Sequence, residues 1–415
     1  MRDEGNEALE HQIRNIAGEE LEEFRRSIAQ AFGNEYNNEH LELGREIFEF
    51  DRNLAAIVDG RIAGTAGISS TEMSVPGGSL PAAAVTMVSV RPTHRRRGIV
   101  SGLMRQQLEQ IRERGEAIAA LWASESSIYG RFGYGIAIQM EMLEVPRVHA
   151  ALRSDLAAGD GTIRLLTLDE AKELLPPLHE SLRRERPGEL ARKPGWWKVR
   201  IFEDLKDWRD GFTANNFVVY QGPKGPEGYA RYRTKSHFED WLPDGRLRIE
   251  EMYAATPDAL VGIWRYLFGV DLIGTLEREV GEMDEPLLAM LVDSRRVKRR
   301  RTDAIWLRIV DVEKALSGRA LATEGRVVFE VVDRFLDGGS GRFELEGGPG
   351  GAVCRRTSNE PEFVVGPEEL GQVYLGGGRL NTLYRVGRVS GDPGAIARAD
   401  AMLGWSILPR CQEHF

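Results

Sequence analysis

The first third of the chain alternates between the apolar spacings of helices and those of strands. Residues 21–32 carry apolar side chains every three or four positions, which predicts an amphipathic helix. Residues 53–68 predict two strands, and Asp59–Gly60 between them favours a hairpin turn. The face of the helix expected to be buried comprises Leu21, Phe24, Ile28 and Phe32.

A strand, a helix and another strand follow over residues 81–123. Residues 81–90 and 117–123 are apolar runs of strand length, and residues 98–115 have the period of a helix that ends at Gly115. With the preceding helix and hairpin, this order predicts an α/β domain. The apolar stripe expected on the helix comprises Leu103, Met104, Leu108 and Ile111.

Two further blocks mix helices and strands, so we predict three domains, at residues 1–147, 148–302 and 303–415. The second block partly repeats the order of the first, and Thr256 can cap its last helix. Its expected elements are a helix over 168–185, strands over 215–221, 228–235 and 246–254, and a helix over 256–270. The third block has expected strands over 325–333 and 341–347 and helices over 366–377 and 392–403.

Composition narrows the class of protein. The 415 residues carry a formal net charge of −9, with 42% hydrophobic and 29% charged residues, which is typical of a globular protein and argues against general nucleic-acid binding. No apolar run is long enough to predict a membrane span, and residues 1–15 lack the apolar core of a signal peptide. Cys354 and Cys411 are too few for a disulfide framework or a closed zinc site. We therefore expect a cytoplasmic protein without a metal.

One basic run, over residues 295–301, departs from the acidic average. It could bind a polyanion. Such runs are more often a solvated face or a linker, and we favour that interpretation. Its basic residues are Arg295, Arg296, Lys298, Arg299, Arg300 and Arg301.

A second basic segment, Arg95–Arg97 followed by Gly98, lies between an apolar strand and an amphipathic helix. The N–H groups in the first turn of a helix lack intrahelical partners and carry partial positive charge, so this junction can hold an anion. Glycine allows close approach of the backbone, and arginine adds charge-assisted bonds to phosphate oxygens. Neither GxxxxGK[ST] nor GxGxxG after a strand is present, so a phosphate site of another type is indicated.

The stretch VSVRPTHRRRGIVSGLM resembles the acetyl-CoA loop of the GNAT superfamily of N-acetyltransferases, Q/R-x-x-G-x-G/A, through Arg95 and Gly98, with Val100 at the usual small position. ALWASESSIYGRFGYGIA narrows the resemblance to the Eis (enhanced intracellular survival) family. GRFELEG, VYLGGGRLNTL and ARADAML are similar to the sterol-carrier-like domain of that family. The resemblance spans the chain and implies two tandem GNAT-like mixed-sheet domains, the second degenerate, followed by a sterol-carrier-protein-like α/β domain.

The resemblance implies acetyl-CoA as co-substrate. Backbone groups at the end of the strand would contact the pantetheine arm and acetyl group, the loop would hold the pyrophosphate, and Arg95 would support the loop. Two residues after the next strand would line the opposite side. The residues expected to bind acetyl-CoA are Val88, Ser89, Val90, Arg96, Arg97, Gly98, Ile99, Val100, Ser101, Ser124 and Glu125.

The resemblance also implies the catalytic groups. Tyr129 matches the tyrosine that protonates the departing thiolate, and Tyr134 is the alternative, which we expect to be structural. The base would be the terminal carboxylate of Phe415, with the neighbouring Glu413 and His414 near the substrate. The tail would be anchored by its apolar residues Trp405, Ile407 and Leu408.

The sequence says less about the amine that accepts the acetyl group. Asn34 stands where the family often has a carboxylate, and Glu35 or Glu39 is the candidate to replace it. We expect an N-acetyltransferase that acts on primary amines of aminoglycoside-like polyamines or lysine side chains, in a homo-oligomer and by resemblance a homohexamer. The alternative is a non-catalytic protein that senses acetyl-CoA or binds an apolar ligand in the sterol-carrier-like domain.

Overall fold

The computed structural model describes residues 11–156 and 159–415, apart from the side chains of residues 40 and 41. We predicted that residues 1–15 are not a signal peptide; residues 1–10 of that segment lie outside the described range. The strands are β1 (Gln12–Asn15), β2 (Leu54–Val58), β3 (Arg61–Val75), β4 (Gly78–Val90), β5 (Ile118–Trp122), β6 (Gly135–Ile136), β7 (Gln139–Pro146), β8 (Thr162–Leu166), β9 (Asn216–Gly222), β10 (Gly225–Lys235), β11 (Phe238–Glu239), β12 (Leu242–Pro243), β13 (Gly245–Ala254), β14 (Ile273–Gly281), β15 (Lys298–Asp303), β16 (Ile305–Ile309), β17 (Gly325–Val331), β18 (Gly341–Gly348), β19 (Gly351–Arg356), β20 (Phe363–Val365) and β21 (Ser390–Gly391).

The α-helices alternate with these strands along the chain. They are α1 (Leu21–Phe32), α2 (Asn38–Arg45), α3 (Ile99–Glu113), α4 (Ser126–Tyr129), α5 (Leu168–Arg183), α6 (Pro194–Trp196), α7 (Pro257–Gly269), α8 (Leu287–Met290), α9 (Val312–Ser317), α10 (Pro367–Tyr374), α11 (Leu380–Arg385) and α12 (Pro393–Leu403). A π-helix spans Trp197–Phe202, and short 3-10 segments span Gly18–Glu20, Phe50–Arg52, Pro92–His94, Gly130–Phe132, Arg147–His149, Lys206–Arg209 and Ser294–Arg296.

The chain divides into two compact units. One contains the described residues up to Ile138, together with Ala304–Ser406 and Glu413–Phe415. The other contains Gln139–Asp303 and Ile407–Gln412. Along the described ranges, no helix is both long and apolar enough to cross a membrane.

The first unit contains a seven-stranded mixed sheet in the order β1-β2-β3-β4-β5-β16-β6. The hairpin predicted at Asp59–Gly60 joins β2 to β3, and both residues have the positive φ that a tight turn requires. Helix α3 packs on this sheet through the four apolar residues predicted for its stripe, all fully buried. The predictions for this hairpin and helix are confirmed.

Helix α1 differs from its prediction at one position. Leu21 and Phe24 are buried and Ile28 packs against the same cluster, as expected. Phe32, predicted on the buried face, is instead 48% exposed at the last position of the helix.

The second unit has a seven-stranded sheet of its own, in the order β15-β7-β14-β13-β10-β9-β8. The predicted cap of α7 is present, since Thr256 Oγ1 accepts the N–H of Ala259 at 3.1 Å. The helix predicted from residue 168 also forms, and Thr167 with Glu170 makes a capping box at its start.

The basic run is part of this second sheet. It forms the short turn before β15 and then β15 itself, an edge strand that pairs with β7. Lys298 and Arg299 make ion pairs with Glu144 and Glu141 at 2.6 and 2.7 Å. The interpretation as a linker is therefore corrected to an edge strand, while the expected solvent exposure of its cations is present.

The strand pairing crosses the predicted domain boundaries. Strand β7, predicted within residues 1–147, belongs to the second sheet, and β16, predicted within residues 303–415, belongs to the first sheet. The remainder of the third block forms a five-stranded sheet, β19-β18-β17-β20-β21, with α9 to α12 around it. The boundaries at 147 and 302 stay predictions, but sheet membership changes close to residues 138 and 304.

Candidate active site

A cleft opens in the first sheet where β4 and β5 separate. These strands pair in parallel only from Ala82 to Val85 on β4. Beyond Val85, β4 continues to Val90 against β3 alone, while β5 ends at Trp122. The last residues of β4 and those after β5 therefore face each other across a gap between the two strands.

A β-bulge shapes the β4 side of this cleft. Between the paired positions Thr65–Ser89 and Gly67–Thr86, β4 has one residue more than β3, and Met87 takes a positive φ of 55°. Thr65 Oγ1 donates to the Met87 carbonyl at 2.6 Å and lies 2.7 Å from Ser89 Oγ. These contacts hold the twisted backbone that presents Val88–Val90 to the cleft.

Helix α3 begins at the mouth of the cleft with its first N–H groups uncapped. Its N-cap is Gly98, which has φ +82° and no side chain to accept those hydrogen bonds. Ile99, Val100 and Ser101 form the first turn, and all three line the cleft. The uncapped N-terminus of a 15-residue helix supplies both hydrogen-bond donors and partial positive charge to an anion.

The arginines of the loop separate into two groups. Arg95 and Arg96 line the cleft, whereas Arg97 does not. Arg95 also donates to the carbonyl of Ala31 at 3.2 Å, so it connects the loop to the end of α1. Arg96 has a φ of 62°, an unusual conformation for a non-glycine residue that reverses the chain just before the helix.

The cleft gathers almost all of the predicted acetyl-CoA residues. Its volume is about 480 Å³. Ten of the eleven predicted binding residues line it, the exception being Arg97, and the predicted catalytic Tyr129 lines it as well. Residues that the sequence analysis did not assign to the cofactor are also present: Ala31, Phe32, His94, Arg95, Ile128 and Arg131.

Tyr129 lies on the β5 side, at the end of the one-turn helix α4. Its side chain is mostly buried but contributes to the cleft wall. Burial raises the pKa of the Tyr129 phenol, the charge of Glu125 adds to the rise, and a hydrogen bond with Ser124 opposes it. The phenol therefore keeps its proton at neutral pH and is able to donate it.

Tyr134 occupies a different environment although it is five residues away. It is fully buried, its ring meets that of Tyr129 edge-on at 6.2 Å, and it is absent from the cleft lining. Burial raises its pKa strongly, and its hydroxyl has no hydrogen-bond partner among the described residues. Tyr134 is thus a core residue behind Tyr129.

The last residues of the chain lie at the carboxyl end of β5. The indole Nε1 of Trp122 donates to the Glu413 carbonyl at 2.8 Å, and the His414 ring stacks on that indole at 4.0 Å. Phe415 is half-buried and is not part of the cleft lining. Trp122 lies two residues before Ser124, so the chain terminus and the cleft wall are held by the same segment.

The tail is anchored by other residues than those predicted. Ile407 is exposed and Trp405 and Leu408 are half-buried, whereas Arg410 to Gln412 are buried. Within the second unit, Arg410 makes ion pairs with Glu189 and Glu282 at 2.6 and 2.7 Å. Ion pairs of Arg410 therefore help to anchor this segment, and hydrophobic spacing cannot predict them.

The residues proposed for the acceptor lie apart from the cleft wall. Asn34, Glu35 and Glu39 are exposed, and none of them lines the cleft. Phe32 and Ala31, at the end of α1, form that side instead. A group of three or more potential metal ligands is absent from the described part of the chain.

Three family models match the chain in succession. Residues 12–137 match an acetyltransferase (GNAT) domain, residues 188–309 match a second acetyltransferase (GNAT) domain, and residues 312–412 match a sterol carrier protein domain. This order confirms the predicted fold class of two GNAT-like domains followed by a sterol-carrier-like domain.

Relatives match over most of the chain. A protein named uncharacterized N-acetyltransferase from Streptomyces avermitilis is 36% identical, over 92% of this chain and 94% of its own. N-acetyltransferase Eis from Mycobacterium tuberculosis is 33% identical, over 82% of each chain. The crystal structure of Eis1 from Mycobacterium abscessus superposes with a TM-score of 0.85 at 33% identity, covering 98% of this chain and all of that one.

The family models assign the fold to the GNAT class of N-acetyltransferases. The cleft between the diverging strands β4 and β5, which the uncapped first turn of α3 closes, is part of such an enzyme. The chain belongs to the Eis family of these enzymes. Acetyl-CoA is the co-substrate of that class of acetyltransferase.

Proposed function

We propose that this enzyme transfers the acetyl group of acetyl-CoA to a primary amine of an aminoglycoside-like polyamine or of a lysine side chain. The observation that carries the proposal is that Tyr129, the end of β4 and the uncapped first turn of α3 line one cleft. The proton donor, the thioester subsite and the anion seat would thus serve one reaction.

The cleft residues suit a coenzyme A group. The N–H groups of Ile99, Val100 and Ser101 would hold the pyrophosphate, assisted by Arg95 and Arg96. Backbone groups of Val88–Val90 would bind the pantetheine arm. The bound group supplies an activated thioester, and this side of the cleft would orient it towards Tyr129.

The chain's own groups would move two protons. As the amine nitrogen attacks and the C–S bond breaks, the Tyr129 hydroxyl would donate its proton to the sulfur; a phenol has an ordinary pKa of about 10 and a thiol about 8.5. We propose the terminal carboxylate of Phe415 as the base for the ammonium proton, with Glu125 as the next candidate. The contacts of Trp122 with Glu413 and His414 support this role, because they hold the terminus at the β5 side of the cleft.

The non-catalytic alternative receives less support. In the described part of the sterol-carrier-like domain, one apolar cavity, lined by residues such as Leu316, Phe329 and Leu403, has a volume of about 10 Å³. That is close to the space of one water molecule and is far too small for a lipid. A second assignment, also a proposal, is that the chain assembles as a homo-oligomer, by resemblance a hexamer.

Two tyrosine variants test the mechanism. Tyr129→Phe should lower kcat by roughly 100- to 10,000-fold, the usual contribution of general acid catalysis, with little change in acetyl-CoA binding. Tyr134→Phe is the matched control and should turn over normally, because the hydroxyl it removes has no partner among the residues that the structure describes. Thiol release from acetyl-CoA with a polyamine aminoglycoside measures both. Normal turnover by Tyr129→Phe would contradict the assignment.

A further inference from the structure

The segment that carries Tyr129 is enclosed by parts of the chain that come much later in sequence. From α4 it continues through the 3-10 turn Gly130–Phe132 into β6, an edge strand of the first sheet that pairs with β16. We call residues 129–135 the tyrosine turn. This turn, β16 and residues 310–406 all belong to the first compact unit, so their contacts are contacts within one unit.

Helix α10 of the sterol-carrier-like domain packs directly on the backbone of the tyrosine turn. Gly133 has a φ of 81°, and a side chain there would come within 2.9 Å of Pro367. A side chain at Gly135 would overlap the carbonyl oxygen of Glu368. The turn and the start of α10 are therefore in such close contact that glycine is required at both positions.

The loop between β17 and β18, residues 332–340, also contacts the tyrosine turn. The ring of Phe335 meets that of Phe132 edge-on, with 4.9 Å between the ring centres. Leu336 is 2% exposed and belongs to the apolar cluster that contains Tyr129, Phe132 and Tyr134. Phe335 is partly buried against the same cluster. The sterol-carrier-like domain thus contributes two side chains to the core behind Tyr129.

This loop is itself held in place by charged and polar contacts. Asp333 makes a buried ion pair with Arg308 of β16, and its Oδ1 accepts the N–H groups of Phe335 and Leu336 at 3.0 and 3.1 Å. From α3, Arg105 Nη1 donates to the Phe335 carbonyl at 2.6 Å, and its guanidinium lies 4.7 Å from the centre of the Phe335 ring. Phe335 is therefore fixed by β16 and α3 before it contacts Phe132.

Tyr129 needs such support because its own element is short. Helix α4 has four residues, and helices shorter than about 12 residues are marginal by themselves. Proton donation requires the phenol within hydrogen-bond reach of the sulfur, and a displacement of about 1 Å can cost roughly 100-fold in rate. Contacts that fix the tyrosine turn therefore bear on the rate of the reaction.

We propose that Phe335 is a positioning residue for acetyl transfer, through which the loop of the sterol-carrier-like domain holds Tyr129 at the cleft. The proposal rests on the proposed function, in which Tyr129 is the proton donor. Phe335 does not line the cleft, so it acts through Phe132 and the shared apolar cluster. In this role the sterol-carrier-like domain supports the catalytic turn and needs no lipid.

The first test removes the ring contact and keeps the loop. Phe335→Leu retains the backbone hydrogen bonds of residue 335 and should fold, because the side chain is only partly buried. We expect kcat to fall roughly tenfold, part of the roughly 100-fold cost of a 1 Å displacement, while the KM for acetyl-CoA changes less than about twofold. Thiol release from acetyl-CoA measures both constants, and circular dichroism melts verify folding.

Phe329→Leu is the matched control for this test. Phe329 is buried in the third sheet, where its ring stacks on Phe343 and Phe363 at 5.8 and 5.7 Å. Its replacement should lower the melting temperature and leave kcat unchanged, when both are assayed well below the transition. A wild-type kcat for Phe335→Leu, or an equal loss of kcat for Phe329→Leu, would overturn the positioning role.

The second test combines Phe335→Leu with Tyr129→Phe. If Phe335 acts by placing the Tyr129 hydroxyl, its replacement should change kcat less than about twofold once that hydroxyl is absent, because coupled residues are not additive. Two independent effects that multiply would show that Phe335 acts elsewhere and would overturn the proposal. Normal turnover by Tyr129→Phe alone would overturn both the proton donor and its positioning, whereas a slow Tyr129→Phe beside a normal Phe335→Leu would overturn the positioning only.

Discussion

Tyr129 and Tyr134 show how environment, not residue type, assigns a role at the scale of single residues. The two tyrosines are five residues apart and their rings are in contact, but their hydroxyl groups have different surroundings. Tyr129 reaches the cleft and Tyr134 is enclosed near Arg308. The proposed donor therefore combines access to the cleft with a pKa raised by burial, whereas the second tyrosine has burial without access.

The loop arginines provide a prediction at the same scale. Arg95→Gln and Arg96→Gln should each raise the KM for acetyl-CoA, with an expected loss of at most about 1.5–3 kcal/mol for a hydrogen bond to a charged group. Arg97→Gln is the matched control and should change KM little, because Arg97 does not line the cleft. Steady-state kinetics at fixed ionic strength distinguishes the three variants. A larger effect at Arg97 than at Arg96 would restore the assignment made from the sequence alone.

At the scale of elements, the bulge in β4 connects the sheet to the site. Thr65 is its main support, through the Met87 carbonyl and the Ser89 hydroxyl. Gly67 lies opposite the bulge, and a side chain there would overlap Asn53 and Met87. The sequence pattern of β3 predicts an ordinary strand and does not indicate any of these contacts.

Thr65→Val should therefore affect acetyl-CoA binding without direct contact. The isosteric valine removes the hydroxyl and leaves two buried polar groups without this partner, at a cost of about 1–3 kcal/mol. We expect a lower melting temperature and a higher KM for acetyl-CoA. Thr65→Ser retains the hydroxyl and should be close to wild type. If both variants show the same KM as wild type, the bulge is not needed to shape the cleft.

The carboxyl-terminal segment gives a second prediction for an element. Deleting Phe415 moves the terminal carboxylate by up to about 3.5 Å, and a shift of about 1 Å can already cost roughly 100-fold in rate. Phe415→Leu keeps the carboxylate in register and should be much milder. Trp122→Phe removes the donor to the Glu413 carbonyl and should lower kcat while acetyl-CoA still binds. Full activity of the deletion variant would show that the terminal carboxylate is not the base and would favour Glu125 in that role.

At the scale of the whole molecule, buried ion pairs are concentrated in the second unit. Glu251 and Arg192 are both about 1% exposed and lie 2.5 Å apart. Burial alone would raise the pKa of Glu251, but Arg192 and Arg231 outweigh it and hold the pKa at about 2. An unfolded glutamate titrates at about 4.3.

This difference predicts that the protein loses stability in acid. A depressed carboxylate pKa stabilises the fold fully above the unfolded value, and this contribution is lost as the pH falls from about 5 towards 2. Glu251→Gln should lower the melting temperature at pH 7, because it leaves Arg192 buried without its carboxylate, and should flatten the pH dependence. Thermal unfolding followed at pH 7, 5 and 3 measures both effects. An equally steep loss of stability in the variant would assign the acid sensitivity to other groups.

The sequence by itself determined the elements whose signals are local. The hairpin at Asp59–Gly60 requires only two residues that tolerate positive φ, and α3 requires only an apolar side chain every three or four positions. The helix start that we propose as an anion site was predictable for the same reason, because a strand, a glycine and a helix start are consecutive in the chain. The family resemblance then predicted roles for Tyr129 and for the residues proposed to bind acetyl-CoA, which spacing alone could not assign.

Only the tertiary structure decided which segments meet. Strand β16 joins the first sheet although it follows β5 by more than 180 residues, Arg410 finds Glu189 across a comparable span, and Phe32 lies outside the core despite its helical register. Strand pairing, ion pairing and burial depend on partners that are distant in the chain. A periodic pattern shows that a residue needs a partner but not which segment supplies it, and this is why the bulge, the charged anchor of the tail and the cleft wall became visible only in the folded molecule.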